Sequence, residues 1–366
     1  DNMSRQTETK DAAGNTMTYG YDKNSRMTTI TDGAGNTSTM GYDGNGNMTM
    51  VTDGSGRSIL YTYDKSDRMT EASAGVGTAE EIRPTYQYDD RDNLIAQTDG
   101  NGNTTRYTYD LADNLTSETN PLGQVEAYEY DVNNRLSKVK RASGATIRYD
   151  YNQLDQLLET EYSQEEEGEV LYAYDQDGRR VTMTDLTGTS TYTYDEAGRI
   201  TGVQSGDGNV ILYKYDTYGN LSKLTYPDGT SVTYEYDALD RLTKVTDREK
   251  KETQYTYDLA GHMTEVERAN GTRSELNYDT DGQVLTVENQ DAKGVSISSY
   301  KYEYDESGNI LTETIIQEGG TTTWSYQYNS RGELSQATAT GAQEATYVYG
   351  YDQAGNKVTI EQSETN

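Results

Sequence analysis

The stretch Tyr192-Thr193-Tyr194-Asp195-Glu196-Ala197-Gly198-Arg199-Ile200-Thr201 decides how the rest of the chain is read. Side chains alternate along extended backbone, so Tyr192 and Tyr194 lie on one face of a strand. Asp195 then opens a reversal, and Gly198 supplies the left-handed position that closes a type I turn in a hairpin. Arg199 follows the turn, and Ile200-Thr201 resumes the apolar and polar alternation of a second strand. The ten residues read as one hairpin.

The same hairpin recurs from end to end. Marked by its second tyrosine, it falls at Tyr21, Tyr42, Tyr63, Tyr88, Tyr109, Tyr130, Tyr151, Tyr174, Tyr194, Tyr215, Tyr236, Tyr257, Tyr278, Tyr304, Tyr328 and Tyr351, in steps of 20 to 26 residues, nine of them 21. A fixed period of this kind is the mark of a repeat architecture. The first tyrosine is present in fourteen copies, with Met40 and Leu276 in the others, so the motif takes 30 of the 35 tyrosines. The fullest copies include Tyr19, Tyr21 and Asp22; Tyr107, Tyr109 and Asp110; and Tyr234, Tyr236, Asp237 and Arg241. The turn-closing slot holds Gly in nine copies, Asp in five, Asn134 and Ser25, nearly all residues that tolerate a left-handed backbone. The next slot holds Arg26, Arg68, Arg135, Arg179, Arg199 and Arg241, six asparagines, and Gln156, Gln283, His262 and Glu333. The arginines stand four residues after an Asp across the turn. They are read as turn locks worth about 0 to 1 kcal/mol each, not as anion sites.

Between motifs comes a second turn, as in Asp99-Gly100-Asn101-Gly102-Asn103, and a Thr-rich strand leads into the next tyrosine pair. One repeat is thus two short strands and two turns. The fold expected is all-β, an antiparallel hairpin ribbon of sixteen repeats with a contour of about 150 Å. Its tyrosines should form a ladder in which ring contacts add about 0.5 to 1.5 kcal/mol each. A ribbon one sheet thick has no globular core, so it must curl, close or pack on something else. Four places break the period, at residues 71–85, 159–170, 288–300 and 313–324, and are read as surface loops.

Composition narrows the function. The 366 residues carry 62 acidic and 31 basic side chains, a net charge of −31, with one His, no Cys and no Phe. Leu, Ile and Val total only 50 residues, which with this charge resembles disorder, but the regular tyrosines supply the missing apolar area. Without cysteine there is no disulfide framework and no thiolate nucleophile or metal site. The acidic excess argues against bare nucleic acid, whose phosphates need Lys and Arg. No apolar run is long enough for a membrane-spanning helix, and no signal-like segment opens the chain.

Tyr-x-Tyr-Asp-x-x-Gly-Arg-Ile-Thr, as at 192–201, resembles the Rhs/YD-repeat family, and the resemblance covers essentially all sixteen copies. It implies a long β-ribbon that spirals into a hollow shell. Such shells enclose a variable effector in polymorphic toxins and form the cocoon of Tc toxins; relatives include wall-associated bacterial proteins and teneurins. It further implies a secreted or surface-displayed bacterial protein whose partner is an enclosed or adjacent effector domain of the same polypeptide. A basic cargo would suit the acidic wall. Family toxins end their shell with an Asp-Pro self-cleavage segment, whereas the prolines here are Pro84, Pro121 and Pro227 and none follows Asp. Asp1-Asn2-Met3 aligns with Asp92-Asn93-Leu94, and residues 361–366 follow an ordinary strand. The expectation is a repeat array over 1–366, truncated at both ends, without cap or effector.

Candidate chemistry is sparse. His262 occupies a repeat slot, and no nucleophile accompanies it. Carboxylate pairs are too numerous to mark a glycosidase site. The turns at 43–47 and 99–103 resemble the start of a calcium loop but lack the distal glutamate, and turn chemistry accounts for them. No catalytic residue, cofactor or metal is expected. Trp324 and Tyr162 are the candidate ligand-contacting aromatics for the alternative function, an adhesion or carbohydrate-binding ribbon, with packing the competing use.

Overall fold

The computed structural model describes residues 1–164 and 168–363, so residues 165–167 of the second period break and 364–366 at the end lie outside it. The described residues form 33 strands in one sheet and no helix. Strands pair antiparallel with their neighbours in the chain, as Leu115–Thr119 does with Val125–Tyr130 and that strand with Leu136–Lys140. By contacts the chain divides into two units. One comprises residues 1–87, 97–104 and 254–366, the other 88–96 and 105–253.

The turn chemistry is uniform. All sixteen turn-closing residues have φ between 59° and 105°, including Asp113, Asn134 and Ser25, which lack glycine's freedom. In the repeat first quoted, the Asp195 amide donates to the Arg199 carbonyl at 2.9 Å and the Gly198 amide to the Asp195 carbonyl at 3.0 Å. The Asp195 carboxylate Oδ1 accepts from the amides of Ala197 and Arg199 at 3.0 and 2.9 Å. These turns carry a bulge at the second tyrosine: Thr108 faces Ser117, yet Tyr109 faces Leu115. The same shift occurs at Tyr194 and Tyr236. A bulge that recurs with the repeat adds twist at a fixed interval, which is how a flat ribbon acquires curvature.

The first tyrosine of a pair commonly stands opposite an aliphatic residue on the next strand, with Glu118, Thr160 and Glu313 the exceptions opposite Tyr107, Tyr149 and Tyr302, and the row continues one strand further. Tyr128 faces Val139, which faces Ile147. Val139 and Ile147 are buried, but no described side chain is completely enclosed. The described strands form a single layer. Its stability comes from cross-strand pairs and from contacts between adjacent repeats.

Two of the period breaks are not loops. The residues added at 288–300 and 313–324 lengthen strands, giving Val284–Gln290, Ser296–Tyr304, Ile310–Gln317 and Gly320–Tyr328. Their Thr and Ile residues continue the β pattern, so pairing extends where a loop was expected. Here Trp324 faces Ala339, and Ala337 lies between Tyr326 and Tyr347. Trp324 stacks on Tyr347 at 5.9 Å and on Tyr326 at 6.4 Å. Ala337 and Ala339 are only 3% exposed, because small residues let the large rings close over them. Ala337→Leu is expected to cost about 1 to 3 kcal/mol by overpacking, read as a lower denaturant midpoint with unchanged slope.

Candidate functional site: repeat clamp and edge seam

Two arrangements do the work of this fold, and the first binds each repeat to the next. The second tyrosine donates its hydroxyl to the backbone carbonyl of the residue that follows the preceding turn: Tyr42 to Met27 at 2.7 Å, Tyr109 to Leu94 at 2.9 Å, Tyr215 to Ile200 at 2.9 Å and Tyr236 to Leu221 at 3.0 Å. Tyr194 makes the same bond to Arg180 and Tyr21 to Gln6, each at 2.7 Å. Such a bond is worth about 0.5 to 1.5 kcal/mol net. Tyr236→Phe should therefore cost about 1 to 2 kcal/mol, since it also strands a carbonyl, a loss that equilibrium denaturation would register.

The slot arginines do lock their own turns, with Arg199 Nε donating to Asp195 Oδ2 and Arg241 Nε to Asp237 Oδ2, each at 2.7 Å. They also reach forward, which the sequence reading missed. Arg26 donates to the Asp43 carbonyl of the next turn at 2.8 Å, and its guanidinium lies 4.7 Å over the Tyr42 ring. Arg135 covers Tyr151 and Arg199 covers Tyr215 at 4.8 and 4.6 Å. Where Asn replaces Arg it bridges forward too, as Asn220 does to Asp240 at 2.7 Å. His262 bonds Asp258 through Nδ1 at 3.1 Å and stacks on Tyr278 at 4.8 Å. Where the slot holds Arg, the expected ladder of tyrosines is thus one of alternating cation and ring. In these repeats it is the slot side chain, and not a neighbouring motif tyrosine, that meets the ring. The reason is spatial, because the slot residue fills the space between successive rings. A cation over a ring contributes about 0.5 to 1 kcal/mol at such sites.

Several turn carboxylates, Asp195 and Asp352 among them, are held in their ionised form. Amide donation from Arg199 keeps Asp195 below its ordinary value, and Asn356 with backbone amides holds Asp352 down at about 2. In the turn at 43–47, Asp43 Oδ1 accepts from the amides of Asn45, Gly46 and Asn47 at 2.8 to 3.0 Å. Its oxygens serve the turn. No group of three metal-ligating side chains meets among the described residues.

The second arrangement is a seam within the larger unit, where turns at one edge of the ribbon meet turns at the other. The between-motif turn at 32–36 meets the motif turn at 279–283, where the Ala34 amide donates to Asp281 Oδ1 at 3.2 Å. The turn at 53–57 meets that at 305–309, where the Ser55 amide donates to Ser307 Oγ at 3.0 Å and Arg57 lies 3.6 Å from Asp305. In the third rung the first period break, at 75–82, docks on 329–333: Thr78 and Ser330 share a hydroxyl bond of 2.9 Å, and Arg331 donates to the Glu80 carbonyl at 3.0 Å. The turn at 99–103 meets 352–356, with Gly100 packed against the Gln353 carbonyl. Each rung joins a between-motif turn to a motif twelve repeats later. Gly33, Gly54 and Gly100 fill the points of contact, where a Cβ would stand 3.1, 2.2 and 1.5 Å from an opposing carbonyl oxygen.

Of the other sequence candidates, Tyr19, Tyr107, Tyr192 and Tyr234 occupy the cross-strand rows opposite Ile30, Glu118, Val203 and Val245. Asp22, Asp110 and Gly198 serve their turns. Trp324 is committed to the aromatic stack, and half-buried Tyr162 sits opposite Ile147. No described helix is long and apolar enough to cross a membrane.

Comparison with known proteins agrees with this geometry. No curated protein matches the chain. Among solved structures, the crystal structures of TcdB2-TccC3 with Cdc42 and of TcdB2-TccC3 each superpose with a TM-score of 0.81 at 16% identity, over 95% of this chain and 22% of theirs. The Photorhabdus luminescens Tc holotoxin pore matches with a TM-score of 0.81 at 16% identity, over 95% of this chain and 21% of that one. The chain therefore has the fold of these proteins and spans about a fifth of their length. The RHS Repeat model matches residues 5–37, 41–79 and 88–125, and the Teneurin YD-shell model matches 168–247 and 230–363. With more than half its length matched by the shell model and most of the remainder by the repeat model, the chain belongs to the Rhs/YD-repeat family.

Proposed function

We propose that this chain is a wall segment of a secreted bacterial shell that encloses or displays a neighbouring toxin domain of the same polypeptide. The observation that carries the proposal is the seam: a ribbon with no core of its own becomes a continuous barrier only where successive passes join edge to edge. The clamp gives each repeat the same curvature, and the seam fixes where one pass meets the next. The role is exclusion, with the wall keeping proteases from a partly folded cargo. A net charge of −31 favours a basic cargo held by the field of the wall without a specific site. No catalytic step is assigned to the chain. Adhesion would rest on Trp324 and Tyr162, whose rings already serve the sheet, and nothing favours it further.

The test is protection. A basic, protease-sensitive domain continued from the C-terminus should resist digestion far longer than the same domain alone, and more so at low salt. Digestion at equal rates overturns the proposal, and protection indifferent to cargo charge overturns its electrostatic part.

A further inference from the structure

The first rung of the seam differs from the others in what it buries. Asp281 Oδ1 accepts the Ala34 amide across the rung, but Oδ2 is buried with no hydrogen-bond partner. The groups facing it are all named by the geometry. Asp32 comes from the opposing turn and Asp279 from its own. A cavity of about 490 Å³ beside the rung adds Asp11, Tyr19 and His262. Asp279 is occupied in accepting the Asp281 amide at 2.9 Å, and Asp32 in accepting the amide and side chain of Asn36 at 2.7 and 3.0 Å. No cation of Lys or Arg lines the cavity. A buried acceptor left unpaired among like charges is costly and calls for an explanation.

We infer that this rung is an acid-tightened clasp, in which proton uptake by Asp281 removes the repulsion from Asp32 and Asp279 and locks the edges of the ribbon together. Burial, and then the charge of Asp32, push the Asp281 carboxyl above its ordinary value. A raised carboxyl favours the joined state below its unfolded value and loses that contribution as pH rises through the folded one. The remaining rungs run the other way. Glu80, hydrogen-bonded by Thr78 and Ser330, is lowered; Asp305 is lowered because Asn309, backbone amides and Arg57 outweigh its burial; and Asp352 is held at about 2. Those rungs lose strength only as pH falls through the lowered values of these carboxyls. The first rung therefore gains strength as pH falls toward the raised value of Asp281, in the opposite sense to the other three.

Amide exchange of the intact chain at a series of pH values, corrected for intrinsic rates, tests this. Protection at 33–36 and 280–283 should rise on acidification from neutral pH, on the order of tenfold for each unit by which Asp281 is raised. Turns of the smaller unit, such as 131–135, should not change. Asp281→Asn should be protected at neutral pH and flat across the range, and Asp32→Asn should weaken the pH response without altering Asp281 itself, since burial remains. Protection at the rung that is independent of pH in the wild type, or a pH response that survives both substitutions, overturns the inference.

Discussion

Replacing Gly100 by alanine is expected to pull the fourth rung of the seam apart, whereas replacing Gly44 should change nothing. The two glycines occupy the same place in identical pentapeptides, Asp-Gly-Asn-Gly-Asn at 43–47 and 99–103. Neither has positive φ, so neither turn needs glycine there for its own backbone. A Cβ on Gly44 meets nothing within 4 Å, but one on Gly100 would lie 1.5 Å from the Gln353 carbonyl oxygen and 2.6 Å from its carbon. The obstacle is backbone and cannot rotate away. The cost of Gly100→Ala should reach about 3 kcal/mol, at the upper end for overpacking. Adding Gly54→Ala, which would strike the Glu306 carbonyl, should roughly double the loss, because separate rungs add. Gly44→Ala should be neutral or stabilise by a few tenths of a kcal/mol. Denaturant unfolding gives the totals, and amide exchange at 352–356 shows whether the rung has opened.

The second large effect is alkaline. Burial raises many motif tyrosines above 10, their ordinary value, with Tyr128 and Tyr302 pushed up to about 12 by burial and by the carboxylates of Glu126 and Glu313. Tyr109, Tyr236, Tyr278 and Tyr328 shift the same way, burial being the main cause. A raised acid stabilises the fold fully below its unfolded value and loses that contribution as pH rises through the folded one. The second tyrosine must also keep its proton to donate to the preceding repeat. The protein should therefore hold its sheet to about pH 10 and unfold over the next two units, with tyrosinate absorbance rising together with loss of the β signal. Gradual ionisation from pH 10 with the sheet intact would contradict the clamp.

The turns were legible because their chemistry is local. A left-handed residue three places after Asp is demanded by the hairpin itself, and all sixteen positions obey. The forward reach of the arginines was not legible, since an Asp four residues back satisfies a guanidinium on paper. Only the spacing of strands brings Arg26 over Tyr42. The seam was hidden for a plainer reason: Gly44 and Gly100 have the same neighbours in sequence, and only a partner 253 residues away distinguishes them. The long strands near Trp324 were read as loops because insertion in a repeat is usually accommodated at the surface. Here the inserted residues are Thr and Ile, which prefer to pair.

The seam brings together turns that are far apart in the chain, as at Thr78 and Ser330, 252 residues apart. A chain with no cysteine allows a direct test, because any disulfide must come from residues introduced for it. Thr78 and Ser330 already touch through their hydroxyl oxygens at 2.9 Å, so Thr78→Cys with Ser330→Cys should oxidise to an intramolecular bond under mild conditions. Peptide mapping should find nearly all of the protein cross-linked at these two sites, while a control pairing Thr78→Cys with Ser66→Cys stays reduced. Free thiols at 78 and 330 in the folded protein, or bonds formed only between separate chains, would contradict the seam and the wall built on it.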